Sequence, residues 1–151
     1  MPMNSKNTNH GIVIRVTGPV VDVRFPDNPP LIHEALEIET KENGKLILEV
    51  AFSIGDSEVK TLAMGPTDGL YRGMKVRRTF SPIKVPVGTP TLGRIFNVLG
   101  NIIDGRPFDK KHKNLSYNPI HCKAPLLTEQ ETKSSILETG LKVIDLIAPF
   151  T

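Results

Sequence analysis

Two glycines in this sequence have the spacing of a phosphate-binding loop. Such a loop follows the pattern G-x-x-x-x-G-K-[ST], because its glycines let backbone amides surround phosphate oxygens, its lysine neutralises charge and its hydroxyl meets magnesium. Gly100 and Gly105 fit this spacing, but Arg106 and Pro107 stand at the lysine and Ser/Thr positions. Proline also lacks an amide donor. We therefore expect an ordinary turn at 100–105 and predict no cofactor-binding residue in this chain.

Histidine and cysteine are the next candidates, as metal ligands or as a nucleophile. His121 stands beside Cys122, which is the single cysteine, and the other histidines are spread along the chain at His10, His33 and His112. A tetrahedral metal site needs about four ligands at a workable spacing. The sequence shows no converging set, so we predict no metal site and ordinary loop residues at His121 and Cys122.

Paired carboxylates are the residues that general acid and base catalysis would require. The pairs Glu37/Glu39 and Glu129/Glu131 have the spacing of a strand or loop with a face in water. Nothing in their surroundings distinguishes one carboxylate of a pair from the other. We predict no catalytic residue in this chain.

Positive charge is the remaining feature that could select a partner. Residues 1–80 are neutral, and the net charge of +3 equals the contribution of Lys110, Lys111 and Lys113 in the segment DKKHK. Phosphate backbones need several spread contacts, so we interpret this segment as a solvated loop. A second basic group could line a nucleic-acid groove, with Lys75 and Arg77 on one face of a strand and Arg78 on the other, but few aromatic residues accompany it. We interpret it as a solvated strand and expect no nucleic-acid partner; the group comprises Tyr71, Arg72, Lys75, Arg77, Arg78 and Phe80.

Length and composition limit the class of protein. The chain has 151 residues, 38% hydrophobic and 23% charged, which are ordinary values for one globular domain or two small ones. No apolar run approaches the roughly 20 residues that cross a bilayer. Residues 1–10 form a polar tail without a visible secretory signal or typical transit peptide, so the glycosylation triplet at 114–116 is interpreted as a chance match. With one cysteine, no internal disulfide is expected.

Residues 11–80 predict the elements of a small barrel. Six short segments alternate between apolar and polar residues and are separated by turn residues, which is the pattern of strands with one buried face. Asn43-Gly44 is a favoured hairpin turn. A closed six-stranded β-barrel would leave no unpaired edges. The apolar positions that we expect to face its interior are Ile12, Ile14, Val16, Val21, Val23, Phe25, Leu36, Ile38, Leu46, Leu48 and Val50.

The sequence pattern changes after Phe80. Prolines punctuate an extended segment from residue 82 to residue 90, and Thr91 stands where an N-cap would start a helix ending at Gly100. A long loop is expected over 101–127. A second short helix is expected after Gly140, with Pro149 ending it and with one apolar face packed inward. The residues of that face are Leu141, Ile144, Ile147 and Ala148.

Three segments of the sequence are informative when taken together: GIVIRVTGPVVDVRFPDNPPLIHEALEI, LAMGPTDGLYRGMKV followed by PIKVPVGTPTLGRIFNVLGNIID, and LETGLKVIDLIAPF. They resemble one family, the catalytic beta subunit of the F-type ATP synthase. The stretch A-M-x-x-T-D-G-L-x-R-G is more similar to the catalytic subunit than to its alpha relative. Two further segments, NPIHCKAP and TKSSILETG, are most similar to plastid and cyanobacterial members of the family.

The resemblance implies a mainly β chain, with a crown barrel at 11–80 and, at 81–151, the start of an α/β RecA-like nucleotide-binding domain. It also implies alpha subunits as partners in an alternating hexamer, a gamma subunit in the full complex, ATP or ADP with Mg²⁺ as ligands of the parent subunit, and no direct membrane span. The expected location is the periphery of an energy-coupling membrane of a plastid thylakoid or a bacterium.

The family's phosphate loop and catalytic glutamate would follow Thr151, so none of its catalytic residues can be assigned here. Phosphoryl transfer depends on such groups, and we expect no ATP hydrolysis by this chain alone. Two hypotheses remain open. The chain is either an N-terminal fragment of the catalytic subunit, which we favour, or a stand-alone barrel that acts as an interaction or assembly module.

Overall fold

The computed structural model of the chain describes residues 9–40, 44–106, 115–129 and 135–150. The chain divides into two compact units, residues 1–121 and residues 122–151. Some predicted features fall on residues outside the described ranges: residues 1–8 of the tail, Asn43 of the hairpin turn, Pro107, the lysines and His112 of DKKHK, Asn114 and Glu131. The division into a tail at 1–10, a barrel at 11–80 and a further domain at 81–151 stays a prediction.

Six antiparallel strands close into a barrel, which confirms the predicted mainly β fold and its six-stranded barrel. The neighbours around the barrel follow the order β1-β2-β5-β4-β3-β6, and β6 pairs with β1 to complete the circle. Closure pairs each strand on both sides, so the sheet presents no open edge. The strands are β1 (His10–Thr17), β2 (Val20–Arg24), β3 (Glu34–Thr40), β4 (Gly44–Ile54), β5 (Glu58–Ala63) and β6 (Lys75–Pro82).

The barrel interior holds one continuous apolar core. Its members alternate along each strand, as the predicted period of two requires. The predicted inward residues of β2, β3 and β4 are all in this core. The cluster contains Val13, Val21, Val23, Phe25, Leu36, Ile38, Leu46, Leu48, Val50, Val59 and Val76.

The prediction for β1 was wrong about its inward face. Ile12 is 47% exposed, whereas Val13 is fully buried. The pairing of β1 with β2 shifts register between Val13 and Arg15, which is a β-bulge. After the bulge, Val16 packs against the core as predicted. An alternating pattern cannot reveal such a one-residue insertion, because the bulge changes which face each later residue occupies.

Two short strands follow the barrel within the first unit. β7 (Lys84–Val87) pairs antiparallel with β8 (Ser116–Pro119), although 101–127 was predicted to be loop throughout. The helix predicted from Thr91 to Gly100 is absent. A 3-10 helix covers only Thr89–Thr91, Gly93 has a φ of 71° and Phe96 forms an isolated bridge with Ile102. A left-handed residue and a bridge both interrupt helical hydrogen bonding, so the apolar spacing at 92–99 was misleading.

The second unit contains the predicted C-terminal helix, α1 (Lys142–Ile147), and a 3-10 helix at Leu127–Glu129. The carboxylate of Asp145 accepts hydrogen bonds from Thr139 and from the amide of Gly140, which orders the turn before the helix. These hydrogen bonds hold the pKa of Asp145 below its ordinary value. The predicted inward packing was wrong: Leu141 and Ile147 are exposed, and no described residue of this unit is buried.

Candidate functional site

The segment at 97–103 is a turn built on the side chain of Asn97. Its Oδ1 accepts hydrogen bonds from the amides of Leu99 (3.1 Å) and Asn101 (2.8 Å), and its carbonyl oxygen accepts one from the amide of Gly100 (2.9 Å). These amides therefore point at acceptors within the protein. A phosphate loop needs its amides free for phosphate oxygens, so this geometry agrees with the predicted ordinary turn.

An ion pair closes the same segment. The guanidinium of Arg94 donates two hydrogen bonds to the carboxylate of Asp104, at 2.5 and 3.0 Å, and a further one to the carbonyl oxygen of Arg106. The amide of Arg106 donates to Asp104. The hydrogen bonds from Arg94 and Arg106 hold the pKa of Asp104 well below its usual range. Arg106 thus has a role within the turn, and the site carries no unpaired charge at Asp104 with which to hold a ligand.

The basic strand β6 differs from the prediction at one residue. Lys75 and Arg77 are exposed, but Arg78 is buried instead of solvated. Its guanidinium donates to both carboxylate oxygens of Glu34, at 2.9 and 2.7 Å, and to the carbonyl oxygen of Asn28 at 2.9 Å. The ring of Phe80 lies 4.3 Å from it. Arg78 is therefore committed to internal contacts and cannot bind a nucleic acid.

Glu34 is the counterpart of this buried arginine. Burial alone would raise the pKa of its carboxyl, but the hydrogen bonds from Arg78 and from the amides of Leu31 and Phe80 outweigh burial and lower the pKa. The amide of Leu31 donates to Oε2 of Glu34 at 3.2 Å, and the amide of Phe80 donates to Oε1 at 3.1 Å. The carboxylate thus holds the loop before β3 and the end of β6 together. Sequence reasoning missed this pair because its members are 44 residues apart.

An apolar cleft of about 250 Å³ lies beside the ion pair. Leu31, Ile32 and Phe80 line it, and these side chains are 76%, 56% and 55% exposed. Exposed large apolar residues that share one cleft are typical of interaction surfaces. We call these three residues the barrel apolar patch.

His33 and His121 meet at the rim of this cleft. Their rings stack with centroids 3.8 Å apart, although 88 positions separate them in the sequence. Nε2 of His121 lies 2.6 Å from Oε1 of Glu49, and Nδ1 of His33 lies 3.9 Å from the same oxygen. The sequence-based view that the histidines are scattered is wrong for this pair. The pairing of β8 with β7 delivers His121 here, and no local signal reveals that pairing.

The described residues His10, Glu37, Glu39 and Cys122 are not members of this group. Cys122 is exposed and has a free thiol. Glu37 and Glu39 line a separate cavity of about 450 Å³ together with His10 and Tyr71. Glu37 is engaged by Arg77 and Lys45. Glu37 therefore serves ion pairs on the barrel exterior.

Comparison with known protein families assigns the barrel. Within the described part of the chain, no helix is both long enough and apolar enough to cross a membrane. Residues 13–79 match the family model described as the ATP synthase alpha/beta family, beta-barrel domain. This match covers less than half of the chain and most of the barrel strands. Over those residues the closed six-stranded barrel is similar to the beta-barrel domain of the ATP synthase alpha/beta family.

Proposed function

We propose that this chain is the N-terminal portion of the catalytic beta subunit of an F-type ATP synthase. The whole complex makes ATP from ADP and phosphate and couples this reaction to proton flow. The observation that carries the proposal is the family match over a closed six-stranded barrel. A beta rather than alpha assignment rests on the stretch A-M-x-x-T-D-G-L-x-R-G at 63–73.

The beta-like stretch has a structural role that explains its glycines. Gly69 and Gly73 have φ values of 80° and 96°, which residues with a side chain rarely adopt. The amide of Gly73 donates to the carbonyl oxygen of Val13, and the hydroxyl of Thr67 donates to the carbonyl oxygen of Gly18. The stretch thus ties the β5–β6 connection to β1. Its contribution is to barrel construction, and the chemistry of the complex is proposed to reside elsewhere.

A polypeptide of these 151 residues is proposed to be inactive by itself. Its only near match to a phosphate loop has its amides at Gly100 and Asn101 bonded internally. ATP, ADP and Mg²⁺ are accordingly assigned to the parent subunit. Purified chain should show no magnesium-dependent ATP hydrolysis above a buffer blank and no saturable binding of a fluorescent ADP analogue. Hydrolysis that follows the chain through purification would contradict this proposal.

Assembly with alpha subunits is the proposed role of the barrel. The barrel apolar patch supports this, since three exposed apolar side chains around one cleft suit a subunit contact. Purified chain should co-elute with F-type alpha subunits in size-exclusion chromatography. The double variant Leu31→Ser/Ile32→Ser should weaken co-elution, whereas Leu127→Ser, which alters an exposed leucine of the second unit, should not. Failure of the unaltered chain to bind alpha subunits would contradict the role.

The proposed location is the periphery of an energy-coupling membrane, of a plastid thylakoid or a bacterium, with a gamma subunit present in the full complex. The alternative is a stand-alone barrel that binds the crown of the hexamer as an assembly module. The transcript beyond Thr151 separates the two. An open frame that continues into a glycine-rich G-K-T loop supports the subunit, and a stop codon supports the module.

A further inference from the structure

Three side chains from three separate elements converge at the rim of the cleft. His33 belongs to the loop before β3, Glu49 belongs to β4, and His121 follows β8. One ligand atom from each, Nδ1 or Nε2 of the histidines and a carboxylate oxygen of the glutamate, lies within 4.8 Å of the other two. Among the described residues, this is the group of histidine, cysteine and acidic side chains that could hold a metal ion.

Backbone hydrogen bonds hold the two histidine-bearing segments in place. The amide of His33 donates to the carbonyl oxygen of Val50 at 2.8 Å, which fixes His33 beside the strand that carries Glu49. The amide of Ile120 donates to the carbonyl oxygen of Ile83 at 3.0 Å, which fixes the residue before His121. The fold therefore brings the donor atoms together, and rotation of the side chains is the change needed to bind an ion.

The distances are compatible with one bound ion. Bonds of about 2.0–2.1 Å to nitrogen and oxygen place tetrahedral ligands about 3.4 Å apart. The 2.6 Å separation of Glu49 from His121 must open and the 3.9 Å separation of Glu49 from His33 must close. Both imidazoles are about half exposed, so their rings can rotate out of the present stack without disturbing the core.

The donor set favours particular metals. Two imidazoles and one carboxylate suit zinc, cobalt, nickel or copper, whereas magnesium and calcium prefer all-oxygen ligands. Glu49 is 12% exposed, so its carboxylate is poorly hydrated and gains from a cation. Three protein ligands leave the fourth position to water.

We propose that His33, Glu49 and His121 form a three-ligand site for a transition-metal ion of the Zn²⁺ class. The bound ion joins the chain after β8 to the wall of the barrel across 72 residues. It acts as a clip that stabilises the folded form, because an ion that binds only the folded chain raises its stability by mass action.

Zinc titration of the full chain against a chromophoric chelator tests the site. One Zn²⁺ per chain should bind, Mg²⁺ should not compete, and Co²⁺ should produce the visible bands of a four-coordinate ion. His33→Asn, His121→Gln and Glu49→Gln should each weaken zinc binding by about 100-fold or more, beyond the usual effect of outer-shell changes. Asparagine is chosen at position 33 because His33 has a φ of 68°, a conformation that asparagine tolerates.

Matched variants separate this site from adventitious binding. Cys122→Ser and His10→Gln should leave zinc affinity and the cobalt spectrum unchanged. Zinc should raise the unfolding temperature of the unaltered chain but not that of the ligand variants. Cooperative thermal unfolding of each variant without metal serves as the control that the variant folds. Absence of zinc binding, unchanged binding in any ligand variant, or loss of binding in Cys122→Ser would overturn the proposal.

Discussion

Arg77 and Arg78 are neighbours in β6, yet they meet different surroundings. The side chain of Arg78 is 5% exposed and pairs with Glu34, which is equally buried, whereas the side chain of Arg77 is 53% exposed and pairs with Glu37. A buried carboxylate that loses its partner cannot regain water, and an exposed one can. Burial therefore determines what each arginine contributes to stability.

Replacement of the two arginines should separate these contributions. Arg78→Met should lower the free energy of unfolding by about 3–5 kcal/mol, because Glu34 would remain buried and unpaired. Arg77→Met is the control and should cost about 1 kcal/mol or less, as exposed pairs do. Urea unfolding of both variants at pH 7 measures the difference. Equal losses for the two variants would contradict the assigned role of Arg78.

The same ion pair should make stability depend on pH. Folding lowers the pKa of Glu34 from its ordinary value of 4.5, so the unfolded chain binds more protons there. The stabilisation is present above pH 4.5 and is lost as the pH falls through the lower pKa of the folded state. The destabilisation caused by Arg78→Met should therefore shrink in acid. Urea unfolding between pH 7 and pH 3 checks this, and a pH-independent penalty would contradict it.

At the scale of the element, β1 depends on a glycine. A Cβ at Gly11 would lie 2.7 Å from the ring of Phe25 and 2.8 Å from the carbonyl oxygen of Arg24. Such distances force the ring or the strand to shift. A side chain at position 11 would therefore disturb the packing of β1 against Phe25 in the core.

Gly11→Ala should lower the free energy of unfolding by about 1–3 kcal/mol, the usual cost of overpacking. Gly65→Ala is the matched control, since its Cβ would meet only the flexible end of Leu46 at 3.2 Å. Thermal or urea unfolding compares them. If Gly11→Ala proved no more harmful than Gly65→Ala, the close approach of β1 to Phe25 would not matter for stability.

At the scale of the whole molecule, burial is unevenly distributed. The apolar core lies within the barrel strands, and the described residues of the second unit are all exposed or half-buried. Local stability follows burial, because opening an unpacked segment exposes little new apolar surface. The two units should therefore differ in their resistance to opening.

Amide hydrogen exchange should show strong protection within 11–80 and weak protection within 122–150. The slowest amides should belong to β2, β3 and β4, whose inward residues include Val21, Leu36 and Leu48. Mass spectrometry of peptides from the exchanged full chain measures this difference. Uniform protection along the chain would contradict the assignment of stability to the barrel core.

Particular residues show how far prediction from sequence extended. Val23, Ile38 and Leu48 were predicted to be inside because a regular strand exposes every second residue to the same face. Ile12 was misplaced because a bulge interrupts that regularity. The helix at 91–100 was wrong because apolar spacing outweighed Gly93 and Asn97 in the prediction, whereas their turn chemistry decides the local structure.

The amino-acid sequence by itself determined the closed barrel, since alternating segments and turn residues are local signals with one compact solution. It also determined the absence of a complete phosphate-loop pattern in these residues. The tertiary structure decided that Arg78 is buried against Glu34 and that His33, Glu49 and His121 converge. These contacts join residues 16 to 88 positions apart. Only strand pairing and barrel closure bring such residues together, and no short-range pattern encodes them.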